Sequence, residues 1–281
     1  MLKNAFILAS LLVFVIFVTA LSACGAQDGM AQGPNGGGLE KPIKVTILYD
    51  NYKFAEGTKN DWGFSCLIEG TEKTILFDTG TKPEILMHNI KQLNVDLAGV
   101  DLVVISHGHT DHTGGLFAVL EKKPGLPVYL AGYYPDSFLE RVEKAGGKVA
   151  AVKSPEAVRV CENVFLTGVM GTDIEEQALI LDGVSDKGVV VITGCSHPGI
   201  VDIIKRAGEI RKKKVYFVFG GFHLLNFSEA KVKAIVEEFK SLGVVKCGAT
   251  HCTGDLPIRL FQEAYKDNYV KLGTGRILEL R

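Results

Sequence analysis

The most constraining stretch of this chain is six residues long: His107-Gly108-His109-Thr110-Asp111-His112. It follows the apolar run Leu102-Val103-Val104-Ile105 and precedes Thr113-Gly114-Gly115. A short β-branched apolar run ending at such punctuation reads as a buried strand leading through a loop into a helix. Open α/β sheets build their sites at this kind of strand end. Imidazoles and a carboxylate set so close together are costly to bury, and the imidazoles repel one another when protonated. A divalent cation removes both penalties. Adjacent side chains diverge, so one ion does not readily use all four groups. His107 and His109 suit one ion, Asp111 and His112 a second, and a two-metal centre is the economical reading.

The surrounding pattern supports one α/β domain over 42–281. Strand candidates are Ile43–Asp50, Gly63–Glu69, Lys73–Phe77, Val100–Ile105, Val128–Leu130, Ala178–Leu181, Val189–Thr193, Val215–Phe219 and Val244–Val245. The clearest helix spans Glu229–Leu242, with Ser228 as N-cap, Val232, Ile235, Val236 and Phe239 along one face, and Gly243 beyond its end. Gly199–Lys212 and Pro257–Lys266 are further helix candidates. Hairpin-like strands followed by strands alternating with helices imply sheets covered by helices on their outer faces.

Other motifs recur at strand ends: Phe77-Asp78-Thr79-Gly80, Thr193-Gly194-Cys195-Ser196-His197-Pro198-Gly199, Gly220-Gly221-Phe222-His223 and Ala249-Thr250-His251-Cys252. With the HxHxDH hexapeptide, this order resembles the metallo-β-lactamase superfamily. Within it, the chain is similar to the branch of dihydropterin–ribofuranosylaminobenzene phosphate synthases. The resemblance implies a four-layer αββα sandwich. It also implies two divalent ions, zinc first in expectation and iron or manganese next. His107 and His109 would share the first ion with His197, or with Cys195 instead. Asp111 and His112 would hold the second with His251, Asp111 also serving catalysis. Superfamily members commonly carry a bridging aspartate where this chain has Cys195. A cysteine ligates zinc, but it cannot bridge through two oxygens.

Asp78 is expected to accept a hydrogen bond from a ligating imidazole, or to be a turn aspartate. His223 is a substrate or metal contact, or else a core histidine; His88, within a predicted helix, is structural or a surface residue. Trp62 is expected to stack on a flat ligand or to pack against the sheet. Gly273, Gly275 and Arg276 in Gly273-Thr274-Gly275-Arg276 can cradle a phosphate. Cys247 and Cys252 are candidates for a disulfide beside His251.

These readings converge on a metal-dependent hydrolase in which a metal-activated hydroxide attacks a phosphoester or another small-molecule ester. A synthase consuming a pterin pyrophosphate, or a non-catalytic metal- or ligand-binding lipoprotein, are the alternatives. The expected partner is a small molecule, phosphorylated or ester. With 31 Lys+Arg against 32 Asp+Glu, the net charge of −1 argues against nucleic acid.

The front of the chain reads differently. Lys3 precedes an uncharged apolar run, Ala5–Ala20, followed by Leu21-Ser22-Ala23-Cys24. This is the layout of a signal peptide over 1–23 ending at a lipobox. Residues 24–41 would then comprise an acylated cysteine and a glycine-rich tether, holding an exported domain on a lipid bilayer. Cells grown with a radioactive fatty acid are expected to label this protein, and Cys24→Ala to abolish the label.

Overall fold

The computed structural model describes residues 42–281. The signal-peptide, Cys24 and tether readings lie outside the described residues. Among the described residues no helix is long and apolar enough to cross a membrane.

The central strands are buried on both faces, which forces each sheet to be covered twice. The first sheet contains β1 (Ile43–Tyr49), β2 (Ser65–Glu69), β3 (Ile75–Phe77), β4 (Leu102–Ile105), β5 (Pro127–Ala131), β6 (Lys148–Val152) and the late strand β13 (Ile277–Leu280). Its order is β13-β1-β2-β3-β4-β5-β6. The second contains β7 (Val158–Cys161), β8 (Val164–Leu166), β9 (Leu179–Ser185), β10 (Gly188–Thr193), β11 (Val215–Gly221) and β12 (Lys246–Thr250), ordered β12-β11-β10-β9-β8-β7. In β10, alternate residues divide between two cores: Val190 and Ile192 face the first sheet, Val189 and Val191 the helices outside.

Three apolar clusters therefore make a four-layer αββα molecule. The central one joins the sheets through residues such as Ile47, Phe77, Val104, Ile192 and Phe219. Outside the first sheet, Leu86 and Ile90 of α1 (Pro83–Gln92), Val119 of α3 (Leu116–Lys122) and Val142 of α4 (Asp136–Lys144) pack on Val103, Ile105 and Val128. Outside the second sheet lie α5 (Ile200–Arg211), α6 (Glu229–Ser241) and α7 (Asp255–Tyr265). α2 (Thr110–Thr113) is a single short turn within the hexapeptide.

Helix α6 begins as its sequence predicts: the Ser228 hydroxyl accepts from Lys231 N at 3.4 Å, and Val232, Val236 and Phe239 are buried. The strand expected at Val244–Val245 instead begins at Lys246. Val244 N donates to Phe239 O at 3.0 Å, so this apolar pair closes the helix end before the sheet resumes. Strands β6, β7, β8 and β13 were not expected; each is three to five residues long, too short for a periodic signal.

The strand directions matter most. β3 through β6 run parallel, as do β10, β11 and β12. Their C-terminal ends are where the histidine-bearing motifs begin. Phe239 is fully buried between α6 and α7, touching Phe222 and Phe261. Phe239→Ala is expected to cost about 3–5 kcal/mol in chemical denaturation, with the bound-metal count of the folded protein unchanged.

Candidate metal centre

The end of β4 delivers the hexapeptide into the buried end of the molecule. Ser106, His107 and His112 are fully buried. Two neighbouring turns fix its path. Thr79 N and Oγ1 both donate to His112 O at 2.8 Å, and Phe64 N donates to Asp111 O at 3.2 Å.

The ligand-type groups meet. His107 Nε2 and His109 Nδ1 face each other at 3.1 Å. The His197 ring lies 4.8 Å from that of His107 and 4.9 Å from that of His109. Asp111 Oδ2 is 3.5 Å from His112 Nε2 and 3.3 Å from His251 Nε2. Cys195 Sγ stands 3.3 Å from His112 Nε2 and 3.4 Å from His251 Nε2. It also groups with His107 and His197, their ligand atoms lying within 4.8 Å of one another. Sequence reasoning set Cys195 and His197 as alternatives; both reach the centre, and Cys195 touches both halves of it.

The far nitrogens of these imidazoles are engaged elsewhere. His112 Nδ1–H donates to Asp78 Oδ2 at 2.7 Å. The Ser106 hydroxyl donates to the same carboxylate at 2.8 Å, so its lone pair accepts His107 Nδ1–H at 2.9 Å. His251 Nδ1–H donates to Asn51 Oδ1 at 2.9 Å, an oxygen also bonded by Gly63 N. Each arrangement occupies Nδ1 and turns Nε2 toward the centre, the orientation a metal requires, and on His112 a cation would take the place of the Nε2 proton. His197 Nε2 is buried with no hydrogen-bond partner. A buried orphan nitrogen beside nitrogen and sulfur donors fits a cation and little else.

Asp78 therefore accepts from an imidazole, as one of its two expected roles requires. It does so from a left-handed backbone, φ 55°. Ser106, Asn51 and Glu176 were not singled out from sequence. The Glu176 carboxylate, fully buried, accepts from the amides of Cys195, Ser196 and His197 at 2.9, 2.8 and 2.7 Å. It holds the loop after β10 in place, and burial raises its pKa. No local pattern marks such residues, because their partners are distant in sequence. Gly194 is required by contact: a Cβ there would lie 2.1 Å from Ser106 Oγ.

Of the remaining expectations, Trp62 is half exposed rather than packed in the sheet. Its Nε1–H donates to Asp111 Oδ2 at 2.8 Å and its ring lies 5.1 Å from His251. His223 is exposed at the edge, 4.2 Å from the His197 ring, and so is not a core histidine. His88 bonds Gly57 O. The phosphate cradle at Gly273, Gly275 and Arg276 does not form. Thr274, Gly275 and Arg276 N–H groups donate to the carbonyls of Tyr52, Ile47 and Gly273, and the Arg276 guanidinium lies over Phe54. That motif fastens β13 to the loop after β1. The Cys247–Cys252 disulfide is likewise absent: both thiols are free, Cys247 facing the helices and Cys252 facing Cys195.

These features have counterparts in known proteins. A family model described as the metallo-beta-lactamase superfamily matches residues 63–208. The chain belongs to that superfamily. It is 30% identical to the 7,8-dihydropterin-6-methyl-4-(beta-D-ribofuranosyl)-aminobenzene-5'-phosphate synthase of Methanocaldococcus jannaschii, over 84% of this chain and 96% of that protein. A crystal structure described as a metal-dependent hydrolase of the beta-lactamase superfamily superposes with a TM-score of 0.71 at 28% identity. That match covers 85% of this chain and 99% of the other. The metallo-beta-lactamase fold protein YhfI of Bacillus subtilis, at 16% identity and TM-score 0.61, covers 85% of this chain and all of its own, a likeness of fold.

Without metal the centre is electrostatically divided. Burial foremost, then the neighbouring imidazoles, hold His107 well below its ordinary value and His197 down at about 3. Burial also disfavours charge on His112, but Asp78 and Asp111 outweigh it and raise it to about 10. In the unfolded chain all three titrate near 6.5. Between pH 6.5 and 3 the unfolded state binds more protons through His107 and His197, so acidification destabilises the fold. The His112 contribution is complete below pH 6.5 and is lost as pH rises toward 10. Below about pH 6 the buried carboxylates of Asp50, raised to about 6, and Glu176, also raised by burial, take up protons in the fold and oppose the histidines. Calorimetry of the metal-free protein is therefore expected to show Tm falling as pH rises from about 7 toward 10, and a Tm rising over that range would contradict this electrostatic picture.

Proposed function

We propose that this protein is a metal-dependent hydrolase of a phosphoester or another small-molecule ester, working at the strand-end centre. The observation that carries the reading is the convergence of imidazole nitrogens, the unpartnered His197 Nε2 among them, with the Asp111 carboxylate and the Cys195 sulfur, every distal nitrogen of His107, His112 and His251 being already bonded. Such a set fits two divalent ions. His107, His109 and His197 would hold one, Asp111, His112 and His251 the other, with Cys195 between them. Bound there, the ions supply water activated near neutral pH and positive charge facing a developing oxyanion. The resemblance to a structure named a metal-dependent hydrolase supports the same reading.

The chain's own residues perform the positioning. Asp78 and Ser106 keep His112 and His107 in one tautomer and orientation, and Asn51 does this for His251. Glu176 fixes the loop that presents Cys195 and His197. Trp62, through its bond to Asp111, holds that carboxylate at the mouth and offers an apolar face to an entering substrate. Burial opposes ionisation of Asp111, but His112 and His251 keep it well below the usual carboxylate range, so it stays charged.

A second reading, a synthase using the ions to position a leaving pyrophosphate, is favoured by the 30% identity to the M. jannaschii synthase. The export and bilayer attachment read from residues 1–41 favour the hydrolase, because pterin pyrophosphates are cytoplasmic intermediates. Turnover of bis-p-nitrophenyl phosphate by the metal-loaded protein tests the choice. It is expected to depend on added metal and to drop on the order of 100-fold or more in Asp111→Ala. Turnover of a pterin pyrophosphate with an aminobenzene ribotide, and none of any ester, would favour the synthase.

A further inference from the structure

A set of softer donors converges beside the His/Asp centre, at the ends of β10, β11 and β12. Cys195, His223 and Cys252 each offer one ligand atom, and the three lie within 4.8 Å of one another. Cys195 and Cys252 are buried, while His223 opens to solvent. Cys252 Sγ–H donates to the Cys195 carbonyl at 3.5 Å.

A buried cysteine usually needs no more explanation than a small apolar side chain. Cys66 and Cys247 are of that kind, each packed within an apolar cluster. Cys195 and Cys252 belong to no such cluster; their sulfurs face imidazoles. The end of β11 is hollowed around them: a Cβ on Gly221 would lie 2.7 Å from Cys252 Sγ and 2.3 Å from Gly194 O. His223 is held beside them by a left-handed backbone, φ 53°, a conformation costly for a residue with a Cβ and kept only where the surroundings enforce it.

We propose that Cys195, Cys252 and His223 form a thiophilic cation site contiguous with the His/Asp centre. It would take a soft or borderline divalent ion such as zinc, with the fourth position open toward solvent beside His223. On binding, each thiol releases its proton to water; two metal–sulfur bonds and one metal–nitrogen bond form, and no electrons move. Two thiolates and a divalent ion sum to zero charge, which suits a site this deeply buried. The Cys195 sulfur retains lone pairs to bridge this ion to a neighbour in the His/Asp centre. The site shares Cys195 with the His/Asp centre and bears on which ions the chain holds, not on which reaction follows from the proposal above.

Titrating the full-length metal-free protein with Co²⁺ tests the site through sulfur-to-cobalt charge-transfer absorption, with elemental analysis at saturation. The wild type is expected to show a band of two-thiolate strength. Cys252→Ser should reduce it by roughly half and lower the bound ions by one per chain. His223→Ala, at an exposed position, should weaken the ion carrying the second thiolate at least about tenfold. If Cys252→Ser folds and leaves band and stoichiometry unchanged, Cys252 is a packing residue and the site does not exist. If that variant does not fold, an unaltered cobalt isotherm in His223→Ala overturns the proposal equally. Ester turnover is not read here, so this site and the hydrolase reading can fail separately.

Discussion

The carboxylate of Asp78 holds the centre of this molecule together. One oxygen accepts the Ser106 amide, the other the Ser106 hydroxyl and His112 Nδ1–H, all inside the protein and away from water. A buried carboxylate is tolerable only when its lone pairs are met, and meeting them fixes three things together. The end of β4 is tied to the end of β3. His112 is turned with Nε2 inward. The Ser106 hydroxyl, its proton spent on Asp78, is left to accept from His107. Two imidazoles thus take their orientation from one side chain, and the left-handed backbone at Asp78 is a cost the network carries.

The sheet topology makes this possible. Each sheet has a parallel part, β3–β6 in one and β10–β12 in the other, and these strands end on the same buried floor. β4 contributes the hexapeptide, β10 contributes Cys195 and His197, β11 contributes His223, and β12 contributes His251 and Cys252. The antiparallel strands carry none of these groups but position Asn51, just beyond β1, and Glu176, just before β9. Candidate ligands arise from the parallel parts and much of their support from the antiparallel ones. This division explains why the support was harder to see in sequence.

What was legible followed from local pattern. The hexapeptide, the strand-ending TGCSHPG and THC segments and the capped helix at Glu229 declared themselves through spacing and punctuation, and each lies where that reading set it. What was hidden depended on contacts between distant positions. Glu176 sits in an unremarkable loop and matters only because three amides some twenty residues later point at it. The reading of Gly273–Arg276 as a phosphate cradle failed for the same reason: the glycines do shape a turn, but the Thr274, Gly275 and Arg276 amides are already taken by the carbonyls of Tyr52, Ile47 and Gly273. A motif announces available donors; only the fold decides whether they are spent.

The arrangement of ligands has a consequence for how the chain reaches its fold. The candidate donors of the His/Asp centre span positions 107 to 251 and come from both sheets, so an ion engaging them would staple the two halves of the domain together. In an unfolded chain, closing loops of that length carries a large entropic cost, which the bound ion repays only when both sheets are docked. Metal capture in this architecture would therefore come late, rewarding complete assembly. A chain with one sheet misregistered, even by a single residue, would present its imidazoles to the wrong face and forfeit the ion. The cation would act as an inspector of the finished sandwich as well as a reagent within it.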